Sequence, residues 1–478
     1  MSREQAAGDG KKPEKTAQGR AVTDEREAVL IALLSYEKKQ TFSNVLVKKT
    51  LDACGHMTDT ERAFIKRLLE GVIERRQELD DLIRQYTGRS VSRLHPVVRQ
   101  ILRMGIYQIL YMDAVPASAA CNEAVLAAKR HGPARLSGFV NGVLRNIARD
   151  AEKGTVRRDV RDGDAESRPV PEFRAAMPEW LAQMWTQQLG AAEADRLMAA
   201  LMEIRPVSIR LCGAPDETER ENLLSSLREA GVLVEKGRWH PDHYTLRRTA
   251  DLRRLPGFSE GRWTVQDESS MLAVEAAGLR GGETVYDVCA APGGKSFFAA
   301  DRLQTLPGGG GSVHAFDLTR RKTDRIREGA RRLRLPNIAV AERDARIPVP
   351  AEEEGAADVL LCDLPCSGLG VMGKKRDIKY RASREGIRSL RNLQREILTN
   401  AVRYLKKGGV LLYSTCTISR AENEDNAAWI EKELGLVPED LSPYLPEGIP
   451  GLRGATLQLL PHVHGTDGFF IARFRREE

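Results

Sequence analysis

The chain has 478 residues, which at roughly 150 residues per domain points to about three domains. Hydrophobic residues make up 41% and charged residues 29%, and no apolar run reaches the ~18 residues of a membrane span, so a membrane protein, a secreted disulfide scaffold and a mostly disordered chain are excluded. Lys and Arg number 74 against 67 Asp and Glu, a formal net charge of +7, too small for a general polycation but compatible with a nucleic-acid partner where basic residues cluster.

The first twenty residues are polar and lack the apolar stretch of an export signal, so residues 1–20 are expected to be a disordered tail and the protein cytoplasmic. Residues 21–150 carry a helical pattern. Apolar residues recur at helical spacing from Glu25 to Leu34, Thr58 and Asp59 form an N-cap signal, and Pro96 to Tyr111 reads as a buried central helix with proline in its first turn. No strand pattern interrupts this stretch, which predicts an all-α domain. Residues 151–175 are charged and punctuated by Pro and Gly, a linker. Residues 176–262 mix helices (Glu179 to Leu189, Glu217 to Ala230) with short strands (Val207 to Leu211, Val232 to Glu235), a small α+β domain. From residue 263 to 478, β-rich runs at Thr284–Val288, Ser312–Phe316, Ile338–Val340, Val359–Cys362 and Val410–Tyr413 alternate with helical segments. That alternation predicts an α/β domain with a doubly wound parallel sheet.

The first strand of that sheet runs into Cys289-Ala-Ala-Pro-Gly-Gly-Lys295 and then a helix. Paired glycines let backbone approach a ligand, although the GxGxxG and GxxxxGK[ST] spacings are absent. Asp317 ends the second strand, Asp344 follows the third and Asp363 follows the fourth. Acids at successive strand ends face the crevice of a doubly wound sheet, where the second grips ribose hydroxyls; N-capping is the plainer reading of each alone. Cys366 and Cys416 follow neighbouring strands and are plausible nucleophiles there. Of the seven cysteines, Cys362 reads as a buried small hydrophobe, and Cys54, Cys121 and Cys212 as structural. With no CxxC pair and no HxxxH cluster, neither disulfides nor a metal site is expected.

CAAPGGK (289–295), DLPCSGLG (363–370), IKYR (378–381), YSTCTISRAENED (413–425), His464 to Arg473 and Trp263 to Ser270 closely resemble the Sun-type RNA cytosine-C5 methyltransferases. Pro116-Ala-Ser, Asn122 to Val125 and Phe139 to Arg145 resemble a NusB-like helical RNA-binding domain. Leu364 stands where many family members have Ala, and Val207 to Cys212 departs from the family's RxN pattern. The order of the two domains resembles that of the bacterial 16S rRNA enzyme.

The resemblance implies a NusB-like all-α domain, a small α+β RNA-binding domain and a Rossmann-like class I methyltransferase domain. It implies an enzyme that methylates carbon-5 of a 16S rRNA cytosine, of the cytosine-967 type, with S-adenosyl-L-methionine as cofactor; a monomer with no metal and no membrane partner is expected. By the same resemblance Cys416 is the nucleophile, Cys366 serves product release and Asp363 binds the cytosine edge as well as lying at the cofactor. Cys289, Ala290, Ala291, Pro292, Gly293, Gly294 and Lys295 hold the methionine side, Asp317 the ribose and Asp344 the adenine. The chemistry alone leaves open the reverse assignment, with Cys366 as nucleophile. Lys374, Lys375, Arg376, Lys379 and Arg381 follow the Pro-Cys loop and are expected to contact RNA phosphates, whereas the basic run from Arg325 to Arg334 reads as a solvated helix face. A non-catalytic RNA-binding factor and an NAD-dependent oxidoreductase are the competing classes. The retained cysteines and acids disfavour the first, and the absent GxGxxG disfavours the second.

Overall fold

The computed structural model describes residues 24–39, 41–156, 172–249 and 251–477. The expected tail at 1–20 and most of the expected linker at 151–175 lie outside the described residues. The chain divides into two compact units. One comprises residues up to Trp185 together with Lys374–Lys379, and the other Thr186–Gly373 with Tyr380–Glu478.

The first unit contains seven helices of two turns or more between residues 24 and 156: α1 (Glu25–Lys39), α2 (Ser43–Ala53), α3 (Asp59–Glu74), α4 (Arg76–Thr87), α5 (Pro96–Tyr111), α6 (Ala117–His131) and α7 (Ser137–Glu152). The capping box at the start of α3 forms as its sequence implies: the Thr58 side chain accepts from the Glu61 N–H and Glu61 accepts from the Thr58 N–H. Along α5, residues Gln100 to Gln108 are all buried, which confirms it as the central helix. Two glycines allow close packing there. A Cβ on Gly71 would lie 1.9 Å from the Tyr107 ring, and one on Gly105 would lie 2.6 Å from Leu144. Leu68, Val72, Ile101, Leu102, Val140 and Leu144 sit in the one apolar core these helices enclose.

In the second unit, β1 (Val207–Leu211), β2 (Leu233–Lys236), β3 (His243–Arg247) and β4 (Trp263–Val265) form an antiparallel sheet in the order β2-β3-β1-β4. Helix Glu217–Glu229 contributes Leu223, Leu224 and Leu227 to the core shared with Ile209, Leu246 and Trp263. β4 pairs with β1, so Trp263–Val265, beyond the boundary expected after residue 262, belong to this sheet.

The larger sheet holds β5 (Thr284–Asp287), β6 (Ser312–Asp317), β7 (Ile338–Glu342), β8 (Ala357–Asp363), β9 (Leu405–Thr415), β10 (Val437–Pro438), β11 (Leu452–Arg453), β12 (Thr456–Leu459) and β13 (Phe469–Arg475). Its order is β11-β12-β13-β9-β8-β5-β6-β7, with β10 on β13. Strands β5 to β9 are mutually parallel, as the strand–helix alternation requires, and β10 to β13 are antiparallel. The sheet is therefore mixed rather than wholly parallel. The reason is local: β11, β12 and β13 are joined by connections too short for a helical crossover, the longest containing the single turn Pro461–His464, and such neighbours pair antiparallel. Chain order reverses at β5, which has β6 on one side and β8 on the other, so a crevice opens beyond the carboxyl ends of β5 and β8. Among the described residues no helix is long and apolar enough to cross a membrane.

Candidate active site

Beyond β5 the chain turns through residues 288–293 into helix Gly294–Thr305. Gly293 caps this helix with φ of 110°, and a Cβ there would strike the Phe297 ring at 2.2 Å, so the turn requires glycine. The acid ending β6 braces the turn. Asp317 is 3% exposed; its carboxylate accepts from the Ala291 N–H at 2.9 Å and the Leu318 N–H at 2.7 Å, and pairs with Lys322 Nζ at 2.8 Å. Asp344 lies beyond β7, where the Arg346 side chain and backbone N–H hold its carboxylate below the usual range. Asp287 ends β5 itself and is buried; the Ser296 hydroxyl donates to its Oδ2 at 2.6 Å.

The fourth acid links the two halves of the crevice. Lys295 Nζ donates to Asp363 Oδ2 at 2.8 Å and to Ser270 Oγ at 3.2 Å, and the ammonium lies 4.7 Å from the centre of the Phe469 ring. On its other oxygen Asp363 accepts from the Ser414 hydroxyl at 3.1 Å. That contact follows from strand register, since Asp363 is paired with Ser414 where β8 and β9 run parallel. The chains leaving these two strands therefore travel side by side, and the Cys366 and Cys416 sulfurs come within 3.3 Å of each other. Neither is in a disulfide. The hydrogen bond with Cys416, together with burial, pushes the Cys366 thiol well above its ordinary value. Burial raises the thiols of Cys289 and Cys362 too, and Cys362 is fully enclosed.

Sequence reasoning missed the residues beneath the two cysteine loops. Glu422 is completely buried, with Ser367 and Gln394 donating to its carboxylate. It stands in YSTCTISRAENED, but an Asn- and Glu-rich turn before a helix reads as capping, and nothing local marks it as buried. Ser414 and Ser270 were equally silent.

The expected RNA contacts divide. Lys374, Lys375 and Arg381 are exposed. Arg376 and Lys379 are buried at 9% and 2% exposure, and this corrects their assignment to a phosphate-facing surface. Arg376 forms ion pairs with Glu70 and Glu74 of α3, and burial pulls the Lys379 amine down to about 7. Among the described residues no group of three or more His, Cys, Asp or Glu could hold a metal ion.

The family model described as 16S rRNA methyltransferase RsmB/F matches residues 276–475, and the NusB family model matches residues 23–149. The Bacillus subtilis protein named "Probable ribosomal RNA small subunit methyltransferase B" is 35% identical over 460 residues, covering 95% of this chain and 99% of that protein. The ribosomal RNA small subunit methyltransferase B of Cronobacter sakazakii is 30% identical over 441 residues, 91% of this chain and 95% of its own. The crystal structure of PH0851 shares the fold with a TM-score of 0.74 at 24% identity, covering 96% of this chain and 99% of that one. NSun6 from Pyrococcus horikoshii, solved with SFG, matches 63% of this chain and 98% of its own with a TM-score of 0.54 at 22% identity. The chain belongs to the 16S rRNA methyltransferase RsmB/F family and carries a NusB-family domain ahead of its methyltransferase domain.

Proposed function

We propose that this methyltransferase modifies carbon-5 of a cytosine in 16S rRNA, of the cytosine-967 type, through a covalent bond between Cys416 and carbon-6 of the base. The observation that carries this reading is the pair of sulfurs 3.3 Å apart at the carboxyl ends of adjacent parallel strands. Carbon-5 of cytosine is a poor nucleophile. Addition of the Cys416 thiolate to carbon-6 makes carbon-5 enamine-like, so that it can accept a methyl group. Loss of the carbon-5 proton then lets the sulfur–carbon-6 bond break, and Cys366 stands next to the sulfur that must leave.

The cofactor, S-adenosyl-L-methionine, supplies an electrophilic methyl group on a sulfonium. The residues of the crevice fit such a cation with its ribose hydroxyls. Asp287 keeps one carboxyl oxygen buried without a hydrogen-bond partner at the end of β5, Asp317 ends the next strand and Asp344 follows the one after. In this reading Cys289 to Lys295 hold the methionine end, Asp317 the ribose and Asp344 the adenine. Asp363, fixed between Lys295 and Ser414, presents an acceptor toward the cytosine edge. Lys374, Lys375 and Arg381 remain for the RNA backbone; Arg376 and Lys379 do not.

The test is a denaturing gel of single-cysteine variants incubated with 16S rRNA and S-adenosyl-L-methionine. Cys416→Ala should form no protein–RNA band and transfer no methyl. Cys366→Ala should transfer methyl once and stall as a covalent band. A band with Cys416→Ala alone would make Cys366 the nucleophile.

A further inference from the structure

We propose that Glu422 is a positioning residue for the cysteine pair, a buried carboxylate that ties the turn carrying Cys366 to the turn carrying Cys416. The proposal deepens the cysteine chemistry proposed above and rests on it. Glu422 follows Cys416 by six positions and lies just before helix Glu424–Leu434, fully enclosed. Its Oε1 accepts from the Ser367 backbone N–H at 2.8 Å and from Gln394 Nε2 at 3.2 Å, and its Oε2 accepts from the Ser367 hydroxyl at 2.5 Å. Gln394 Nε2 also donates to the Pro365 carbonyl at 2.9 Å. The residues on both sides of Cys366 are thus held by one carboxylate and its amide neighbour.

Proton direction extends the tie to Cys416. The Ser367 hydroxyl has a single proton, and it donates that proton to Glu422 Oε2. The Ser367 oxygen then accepts from the Thr417 hydroxyl, 2.7 Å away. Ser367 follows Cys366 and Thr417 follows Cys416, so the chain from Thr417 through Ser367 to Glu422 sets the separation of the two loops. The Gly370 N–H, bonded to the Cys416 carbonyl at 3.1 Å, adds a second tie.

Burying a carboxylate is costly, and charge-assisted hydrogen bonds offset that cost here. Burial pushes the Glu422 acid upward, opposed by the bonds from Ser367 and Gln394. The negative charge beside Cys366 in turn adds to the influences that hold that thiol protonated.

Glu422→Gln preserves volume but offers one acceptor oxygen, and its NH2 must face a donor. We expect release of methylated RNA to slow by at least about tenfold, since small misplacements of reacting groups carry penalties of that order or more. A covalent protein–RNA band should accumulate, while S-adenosyl-L-methionine affinity stays unchanged. A purely structural role would not shift thiol titration, so the second readout is the pH profile of iodoacetamide alkylation of Cys366 in a Cys416→Ser background. Adding Glu422→Gln should lower its midpoint, because a negative charge has been removed. Ser367→Ala retains the carboxylate and should accumulate the band without lowering the midpoint; it decides the matter if Glu422→Gln does not fold. Wild-type release rates in the folded variants would overturn the proposal. If Cys366→Ala gives no stalled band, the cysteine assignment fails instead, and wild-type rates of Cys366 alkylation at fixed pH in both Ser367→Ala and Glu422→Gln would then overturn the positioning role by itself.

Discussion

Asp287 closes β5 with its side chain 1% exposed and one oxygen lacking a hydrogen-bond partner. Burial, the largest influence, pushes its carboxyl up to about 7 from an ordinary value of 3.8. Between those values the unfolded chain has released a proton that the folded chain keeps. By linkage, stability falls as pH rises through that window, and the loss is complete above the folded value. Asp287→Asn removes the titration. In cofactor-free protein, its melting temperature should gain on the wild type as pH rises from about 4 to 7 and stay ahead above that, by a few degrees, given ~2–4 °C per kcal/mol for units of this size. Melting curves that run parallel across the range would mean that Asp287 ionises normally. The Gly293 turn, Asp317, Asp363 and the two cysteines stand out in the sequence because each follows an apolar run that reads as a strand, and polar residues there mark a crevice; Asp287, the last residue of such a run, does not. Glu422, Ser414 and Gln394 do not, because their burial depends on which strand or turn becomes a neighbour, and one chain's local pattern does not carry that information.

The helices of the first unit and strands β5 to β9 follow directly from hydrophobic period, caps and glycine punctuation, and Pro96 opens α5 where its fixed φ suits a first helical turn. Less legible were β10 and β11, each only two residues long, and the basic segment after the Pro-Cys loop. Lys374 to Lys379 reads as a phosphate-binding run because the acids that neutralise it are about 300 positions away. In the first unit Asp377, 1% exposed, accepts from the Ser43 N–H at 3.2 Å, the Ser43 hydroxyl at 2.5 Å and the Tyr36 hydroxyl at 3.4 Å. Asp377→Ala should leave those donors buried without this acceptor. Hydrogen bonds to a charged group contribute ~1.5–3 kcal/mol. The expected outcome in calorimetry is a lower-melting transition for the helical unit, with S-adenosyl-L-methionine affinity unaltered. An unchanged transition would show that the segment is not held there.

At the scale of the whole chain, the covalent path crosses between the units at Gly373 and returns at Tyr380, so six residues of the second half fold with the helices. Removing residues 1–171 therefore affects the two units differently. Every residue proposed for the cofactor, from Cys289 to Asp363, lies in the second unit, whose sheets and cores are built from its own segments. Arg376, Asp377 and Lys379 would lose the helical surface but regain water, which costs the second unit little, because charged groups are penalised for burial and not for hydration. A chain beginning at residue 172 is thus expected to fold and to bind S-adenosyl-L-methionine with an affinity within about threefold of the full chain. The segment itself should be released. Trypsin should cut after Arg376 and Lys379 at least about tenfold faster in the shortened chain than in the full one, where both side chains are buried and local opening must come first. Mass spectrometry of the first fragments distinguishes these sites from the exposed Lys374, Lys375 and Arg381. Equal cleavage rates in the two chains would mean that the segment's order comes from its own unit of sequence and not from the helices. Intact binding together with rapid cleavage would locate the contribution of the helical unit in ordering the stretch that follows the Cys366 loop.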